Sequence, residues 1–167
     1  MRNCYPAVEK GMRAWVERYP EFSNWEILSA GMAHKPLDLG GGRVMKSAGK
    51  LAMDQYGELL LRSAAGLSLM SSPHPSYPPL EMAHFGMFTV TNSYTNKDLT
   101  TSHENIVSID NIAPDTIADA LAQACRKFEA DPDQGWRGKS LRPSFLDTHA
   151  FEFLDRLVAD LKAHAWH

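Results

Sequence analysis

The sequence has few cysteines and no large excess of charge of either sign. Only Cys4 and Cys125 occur among 167 residues, and their separation does not match the ligand spacing of a metal site. A chain of this length does not need a disulfide to fold, so a reducing compartment, the cytoplasm, is expected. Lysine and arginine number 17 against 20 acidic residues. Nucleic acid is therefore not an expected partner, because binding to its phosphate backbone needs a positive excess.

Long hydrophobic runs and internal repeats are absent as well. Residues 1–6 include an early arginine, but no apolar stretch follows it, so the segment does not resemble a secretion signal. The longest stretch without Asp, Glu, Lys or Arg covers residues 63–80 and contains four prolines. A membrane-spanning helix needs about 20 mostly apolar residues, so no transmembrane segment is predicted. A hydrophobic fraction of 44% is typical of a folded globular domain.

Hydrophobic periodicity predicts an alternation of helices and strands along the chain. Predicted helices cover residues 6–19 and 52–62, the segment from Pro78 to Gly86, a long helix from Pro114, and residues 144–164. Predicted strands cover residues 25–31, 43–49, 64–70, 88–92 and 106–109. This order predicts an α/β fold of the Rossmann-like, three-layer α/β/α type with a mostly parallel sheet.

The domain organisation follows from the same pattern. Residues 1–130 are predicted to form one Rossmann-like domain, residues 131–143 a polar connector, and residues 144–167 a helical segment that packs on that domain. The run 40–42 consists of three glycines, but it precedes a strand and lacks the spacing of a dinucleotide-binding motif. We interpret it as a turn.

The segment 71–83 carries the clearest functional signal. It links a buried strand to a helix, and its prolines limit the entropy that its polar groups lose on binding. The N–H groups at the start of a helix attract phosphate, and Ser76 or Tyr77 can donate to the same oxygens. Glu81 can accept hydrogen bonds from a vicinal diol such as ribose, and it is the only acidic residue between Glu58 and Asp98.

Ordinary structural interpretations compete with these assignments. A proline-rich loop before a helix is most often only a loop, and a histidine in such a loop, here His74, is more often structural than catalytic. The combination of the loop with a single acidic residue favours a binding function.

Several runs of the sequence together resemble one known family. They are Gly49-Lys50-Leu51, residues 65–70, residues 72–83, Gly86, residues 90–92 and residues 96–99. Over about residues 2–128 the chain resembles the carboxy-terminal donor domain of retaining GT-B glycosyltransferases. Within that group it is most similar to the rhamnosyltransferase-like enzymes of bacterial surface polysaccharide synthesis.

The resemblance implies a site for a nucleotide-diphosphate sugar, with dTDP-rhamnose as one candidate, and neither a metal nor a separate cofactor. It matches Glu81 to the acid that holds the donor ribose, and Ser76 and Tyr77 to helix-start positions near the diphosphate. It matches Arg2 to a basic residue that neutralises the diphosphate. The loop that lies against the base corresponds to Gly49, Lys50 and Leu51.

The sequence departs from the family pattern at two places. Pro73 stands eight residues before Glu81, where the family has an acid near the transferred sugar, so His74 becomes the candidate catalytic residue. The family's domain opens with a strand before its first helix, and residues 1–5 are too short to supply one. The expectation is a fragment whose strands at 25–31 and 65–70 either flank a gap or meet directly.

The predicted function is the donor-binding half of a glycosyltransferase that transfers a sugar, with rhamnose as one candidate, to a polysaccharide or glycan acceptor. An amino-terminal acceptor domain or a partner chain would complete it, and the chain alone is expected to be inactive. The predicted location is the cytoplasm, with peripheral binding at the inner face of the membrane as a variant. The alternatives are a non-catalytic module that binds a nucleotide or sugar phosphate, and an inactive remnant of a truncated gene.

Overall fold

The computed structural model describes residues 4–73, 76–141 and 153–164. The helices are α1 (Tyr5–Arg18), α2 (Met53–Leu61), α3 (Tyr77–His84), α4 (Pro114–Ala130), α5 (Gln134–Arg137) and α6 (Phe153–His164). The strands are β1 (Ile27–Ala30), β2 (Leu37–Gly40), β3 (Arg43–Gly49), β4 (Ala65–Ser68), β5 (Phe88–Asn92) and β6 (Ile106–Ile109). The predicted helices and strands that fall within the described ranges are present, most with boundaries shifted by a few residues.

One strand, β2, was not predicted. It pairs antiparallel with β3, and the turn between them is the glycine run at 40–42, whose φ angles are +93°, +58° and +74°. Glycine adopts this left-handed conformation without steric cost, so the interpretation of the run as a turn is confirmed. The strand itself carries only two apolar residues, Leu37 and Leu39, which is too short a pattern to separate a strand from a loop.

The strands form two three-stranded sheets, ordered β1-β3-β2 and β4-β5-β6. In the first sheet β1 and β3 are parallel, and in the second sheet every pairing is parallel. The predicted α/β class with a mostly parallel sheet is thereby confirmed. The order also agrees with a doubly wound sheet of order 3-2-1-4-5-6 from which the central strand is omitted. Among the described residues, no strand lies between β1 and β4.

Helices α1 and α4 pack against each other and connect the two sheets. They approach closely at Gly11, where a Cβ atom would lie 2.5 Å from Cγ2 of the fully buried Ile117. The main core lies between these helices and both sheets. Helix α3 packs on the second sheet through a smaller cluster, formed with Ala83, Leu99 and Ile106. The second sheet is therefore covered on two faces by helices.

An aromatic cluster anchors the start of β1 to α4. Phe22 is completely buried, stacks on Trp15 at 5.7 Å and meets Trp25 edge-on at 6.0 Å between ring centroids. Trp25 in turn contacts Phe128 of α4 at 5.7 Å. The Arg43 guanidinium donates to the backbone carbonyls of residues 22 and 25, at 3.0 and 2.6 Å. These contacts hold the first sheet against the second.

The segment after α4 packs on the domain through α5. The amide of Asn105 donates to the carbonyl oxygens of Ala83 and Gly135, at 3.0 and 2.7 Å. The predicted connector thus contains a short helix.

Residues 144–152 of the predicted last helix lie outside the described residues. In α6, the apolar side chains described are 43–59% exposed, so its packing on the domain stays a prediction. No helix within the described ranges has the length and apolar character to cross a membrane.

Candidate functional site

A cavity of about 1000 Å³ lies between the two sheets. Both β1 and β4 line it along their whole length, from Trp25 and Ala64 near their amino ends to Gly31 and Met70 at their carboxyl ends. Ligands of open α/β sheets bind outside the carboxyl ends of the strands, where the strand order reverses, and that point lies between β1 and β4 here. The carboxyl end of the cavity is therefore the candidate site.

Four of the sequence-predicted residues line this one cavity. They come from two separate loops and one helix, and they are Lys50, Leu51, Ser76 and Glu81. Gly49 and Tyr77 are adjacent in sequence but do not line it. Arg2 and His74 lie outside the described residues, so their assigned roles stay predictions. Pro73 lies in an exposed bend.

The end of β3 directs Lys50 and Leu51 to the cavity. Gly49 is the last residue of the strand and has a φ of +67°, a conformation that side-chain-bearing residues rarely adopt. A Cβ atom at this position would be 3.8 Å from Ala33, so the backbone conformation and not lack of space favours glycine. The turn at Gly49 places an exposed ammonium and a half-buried apolar side chain next to each other.

The start of α3 offers fewer backbone donors than an ordinary helix. Ser76 is the N-cap residue with extended backbone angles, and its side chain makes no capping hydrogen bond. The next residues are Tyr77, Pro78, Pro79 and Leu80, and proline has no N–H group. Within these four positions, only Tyr77 and Leu80 can donate. The side chain of Tyr77 is 80% exposed, so the anion-binding prediction depends on two N–H groups and the Ser76 hydroxyl.

Glu81 is paired with a tyrosine that the sequence analysis did not select. Burial, the charge of Glu81 and a hydrogen bond to Glu81 raise the pKa of Tyr56 from 10.0 to about 12. The phenol therefore stays protonated and donates to the Glu81 carboxylate, which leaves further acceptor positions on that carboxylate free. The sequence held one signal for this role, because Tyr56 lies on a helix face whose other residues are leucine and methionine.

Asn92 fixes the point where β4 leaves the sheet. It is 4% exposed, its Oδ1 accepts from the Met70 N–H at 2.8 Å, and its Nδ2 donates to the Met70 carbonyl at 2.9 Å. The Tyr94 hydroxyl donates to the same carbonyl at 2.9 Å. Residues 71–76 begin directly after this anchor. The sequence placed Asn92 at the end of a strand and in a run that resembles the family, but it assigned the side chain no role.

A buried ammonium group lies close to this anchor. Lys97 is 4% exposed, and its Nζ is 5.9 Å from the centroid of the Tyr94 ring. In the part of the chain that the structure describes, this Nζ has no hydrogen-bond partner. Burial lowers the pKa of Lys97.

Across the described ranges, no group of three or more His, Cys, Asp or Glu residues could hold a metal ion.

Comparison with known proteins gives one partial relative. Over 81 residues the chain is 38% identical to a protein of Myxococcus xanthus named O-antigen biosynthesis protein RfbC. The matched part is 48% of this chain and 6% of that protein, so the chain spans a small fraction of the relative's length.

The family comparison covers most of the chain. Residues 1–122 match the family described as the C-terminal domain of WsaF, a glycosyltransferase C-terminal domain. This range includes both sheets, α1 to α3, the first part of α4 and the four sequence-predicted residues that line the cavity. The chain belongs to the family of WsaF C-terminal domains and is a glycosyltransferase-like domain.

Proposed function

We propose that this chain is the donor-binding half of a glycosyltransferase that uses a nucleotide-diphosphate sugar to build a polysaccharide or another glycan. The family membership supports a glycosyltransferase-like domain, and the partial relative is named for O-antigen biosynthesis. The observation that carries the proposal is the position of Glu81 and Lys50 on one cavity at the carboxyl ends of β1 and β4. The donor sugar we propose first is rhamnose, carried as dTDP-rhamnose.

Each lining residue has a role that its chemistry suits. The Glu81 carboxylate, oriented by Tyr56, accepts hydrogen bonds from the two ribose hydroxyls. Leu51 provides an apolar contact for the base. Lys50 supplies positive charge for the diphosphate, and Ser76 with the first N–H groups of α3 donates to its oxygens. Arg2, His74, Gly49 and Tyr77 keep the roles that the resemblance implies for them.

In the transfer reaction, the bond between the anomeric carbon and the diphosphate breaks, and an acceptor hydroxyl forms the new bond to that carbon. Negative charge develops on the leaving diphosphate, where hydrogen-bond donors and cations stabilise the transition state. The residues described here lie on the donor side of this reaction. An acceptor domain, or a partner chain with that function, is needed for transfer. We propose that the reaction takes place in the cytoplasm or at the inner face of the membrane.

Calorimetric titration with dTDP-rhamnose, UDP-glucose and GDP-mannose tests the donor site. Loss of a hydrogen bond to a charged group costs about 1.5–3 kcal/mol. The substitution Glu81→Ala should then weaken donor binding roughly ten- to a hundredfold, because 1.4 kcal/mol corresponds to a factor of ten. Glu58→Ala is the matched control, since Glu58 is an exposed acid of α2 outside the cavity lining. Equal affinity in folded Glu81→Ala and in the control would refute the role of Glu81.

The contribution of the diphosphate is tested separately. Pyrophosphate should compete with the donor, and the nucleoside without phosphate should bind more weakly than the nucleotide diphosphate. Equal binding of nucleoside and diphosphate would contradict an anion site formed by Lys50, Ser76 and the start of α3. Donor binding without transfer, even after addition of an acceptor domain, would support the alternative of a non-catalytic binding module.

A further inference from the structure

A serine and a histidine form a hydrogen-bonded pair at the candidate site. Ser29 lies near the carboxyl end of β1 and lines the cavity together with Lys50 and Leu51. Its Oγ atom is 2.5 Å from Nε2 of His34, a residue of the loop that follows β1. Among the described residues, His34 is the only hydrogen-bond partner of the Ser29 hydroxyl. The roles assigned above use neither side chain.

The surrounding structure holds this pair in place. In the parallel pairing of β1 with β3, Ser29 is opposite Ser47, so the two side chains lie on the same face of the sheet. The Ser47 hydroxyl oxygen accepts from the N–H groups of His34 and Gly49, each at 3.2 Å. The ring of Tyr5, the first residue of α1, contacts the His34 ring edge-on at 5.8 Å between centroids. The imidazole is therefore held from the sheet and from a helix.

The second ring nitrogen of His34 sets the direction of the hydrogen bond to Ser29. Nδ1 is 2.6 Å from the backbone carbonyl oxygen of Lys35, which can only accept. In the neutral imidazole the hydrogen atom is therefore on Nδ1, and Nε2 carries a lone pair. The Ser29 hydroxyl donates its one hydrogen atom to Nε2. Its Oγ atom keeps two acceptor positions and has no donor left.

A hydroxyl in this state selects a ligand by hydrogen-bond polarity. It can accept from an N–H or O–H group, but it cannot donate to a phosphate oxygen, which also only accepts. Two acceptors that face each other leave a polar group unsatisfied, and this costs more than an ordinary hydrogen bond gains. A serine hydroxyl that rotates freely can donate or accept, so the selection at Ser29 comes from His34.

We propose that Ser29, oriented by His34, is a further binding residue of the cavity, which accepts a hydrogen bond from an N–H or O–H group of the nucleotide and does not bind its phosphates. This inference rests on the proposed function, because it takes the ligand to be a nucleotide-diphosphate sugar. The diphosphate then depends on Lys50 and the start of α3 without help from Ser29.

The ligand carries suitable donors on its base, on its ribose and on the transferred sugar. The ring N–H of the base is the first source, because Tyr5 and Leu51 line the same cavity and offer an aromatic and an apolar surface to a flat ring. Glu81 and Tyr56, which line the cavity from α3 and α2, already supply a carboxylate for the ribose hydroxyls.

Calorimetric titration of the 167-residue chain with four ligands tests the proposal. The ligands are UDP, 3-methyl-UDP, whose base has a methyl group in place of the ring N–H, UDP-glucose and pyrophosphate. A pH of about 8 keeps the neutral form of imidazole predominant. Ser29→Ala removes the acceptor. Ser63→Ala is the matched control, because Ser63 also lines the cavity but its hydroxyl donates to the Leu59 carbonyl at 2.7 Å.

We expect the unsubstituted chain to bind UDP roughly tenfold more tightly than 3-methyl-UDP, because the methyl group removes the donor. Ser29→Ala should weaken UDP binding roughly three- to tenfold and narrow this difference, with pyrophosphate binding unchanged. Weaker binding of UDP-glucose alone would identify a hydroxyl of the transferred sugar as the donor. Equal weakening of UDP and 3-methyl-UDP would identify a ribose hydroxyl. Ser63→Ala should leave all four affinities unchanged.

Nitrogen NMR of the His34 ring tests the polarity of the pair without any ligand. At the same pH the chemical shifts should show the hydrogen atom on Nδ1. In Ser29→Ala the Nε2 resonance should move, because this nitrogen loses its hydrogen-bond donor. A purely structural role of His34 requires neither result.

Four results would overturn the proposal. Hydrogen on Nε2 would make the imidazole the donor and would free the Ser29 O–H for a phosphate. Weaker pyrophosphate binding by Ser29→Ala would make Ser29 a phosphate ligand. Unchanged affinities of folded Ser29→Ala for UDP and UDP-glucose would remove Ser29 from a donor site that otherwise remains. Absence of binding of all four ligands by the unsubstituted chain would refute the proposed function, and this inference with it.

Discussion

The two sheets of this domain differ in how their strands are buried. All five positions of β5 in the second sheet are buried, whereas the residues of β3 in the first sheet alternate between more and less exposed positions. The reason is coverage, because α4 and α3 pack on the second sheet, and the first sheet rests mainly on α1. A strand covered on both faces is buried along its whole length, as β5 is even at its polar residues, and a strand covered on one face alternates in burial.

The second sheet has helices on both faces, whereas the first sheet depends on its attachment to the rest of the domain. That attachment consists of α1 against α4 and of the aromatic cluster around Phe22. Regions with fewer buried contacts open at lower free energy than the rest of a domain. The first sheet should therefore open more easily than the second.

The largest loss of unfolding free energy is expected from a substitution in the aromatic cluster around Phe22. Phe22→Ala removes a completely buried aromatic ring, which typically costs about 3–5 kcal/mol of unfolding free energy. Hydrogen exchange should accelerate more in β1 and β3 than in β5 and β6. Phe85→Ala, at a partly exposed ring, is the control and should cost less. An equal loss of protection in both sheets would show that they unfold as one unit.

A smaller loss of stability is expected at Asn92, the last residue of β5, which lies next to the candidate site. Asn92→Ala removes both hydrogen bonds to Met70 and leaves the buried Met70 N–H without this acceptor, while the Met70 carbonyl keeps the Tyr94 hydroxyl, so the cost is about 2 kcal/mol. Urea denaturation measures this loss, and donor binding should weaken because Ser76, six residues after Met70, is held less firmly. Asn96→Ala, at an exposed position, is the control. Unchanged stability in Asn92→Ala would contradict the anchoring role.

The interior of the second sheet should tolerate, and gain from, one apolar substitution. Thr91 is completely buried, and within the described residues its hydroxyl has no hydrogen-bond partner. Thr91→Val removes an unsatisfied polar group and should raise the unfolding free energy by about 1 kcal/mol. Thr89→Val is the matched contrast, because the Thr89 hydroxyl donates to the Met87 carbonyl at 3.1 Å. That variant should be destabilised, and the reverse order would refute the argument.

The smallest effect on stability is expected from the hydrogen bond between Tyr56 of α2 and Glu81 of α3. Because the pKa of Tyr56 is raised from 10.0 to about 12, its phenol deprotonates in the unfolded chain before it does so in the folded chain. The stabilisation is therefore complete below pH 10 and is lost as pH rises toward 12. Tyr56→Phe should cost about 0.5 kcal/mol at neutral pH and flatten this alkaline decline.

Denaturation midpoints between pH 8 and 12 measure the difference between Tyr56→Phe and the parent chain. Tyr77→Phe is the control, because its ring is 80% exposed and lies outside the cavity. Parallel curves for Tyr56→Phe and the parent chain would show that the pair with Glu81 contributes nothing to stability.

Much of the fold could be predicted from local signals. The apolar spacing of α1 and α4, the prolines at the start of α3 and the glycine turn at 40–42 identify their elements, because periodicity and turn chemistry are local properties. The strand order was predicted from the family resemblance and sheet topology, with a gap and a direct contact between the strands at 25–31 and 65–70 as alternatives, and Glu81 was selected as the candidate acid of the site. The short strand β2 was missed because two apolar residues do not establish a period.

The sequence by itself therefore determined the elements, their order and the loop that carries the candidate site. Only the tertiary structure decided which groups meet. It placed Tyr56 on Glu81, fixed Met70 by Asn92 across a separation of 22 residues, and left Tyr77 in solvent. It also set the width of the cavity between β1 and β4. Such pairings depend on how helices cross and how sheets face each other, and no local pattern of side chains encodes that geometry.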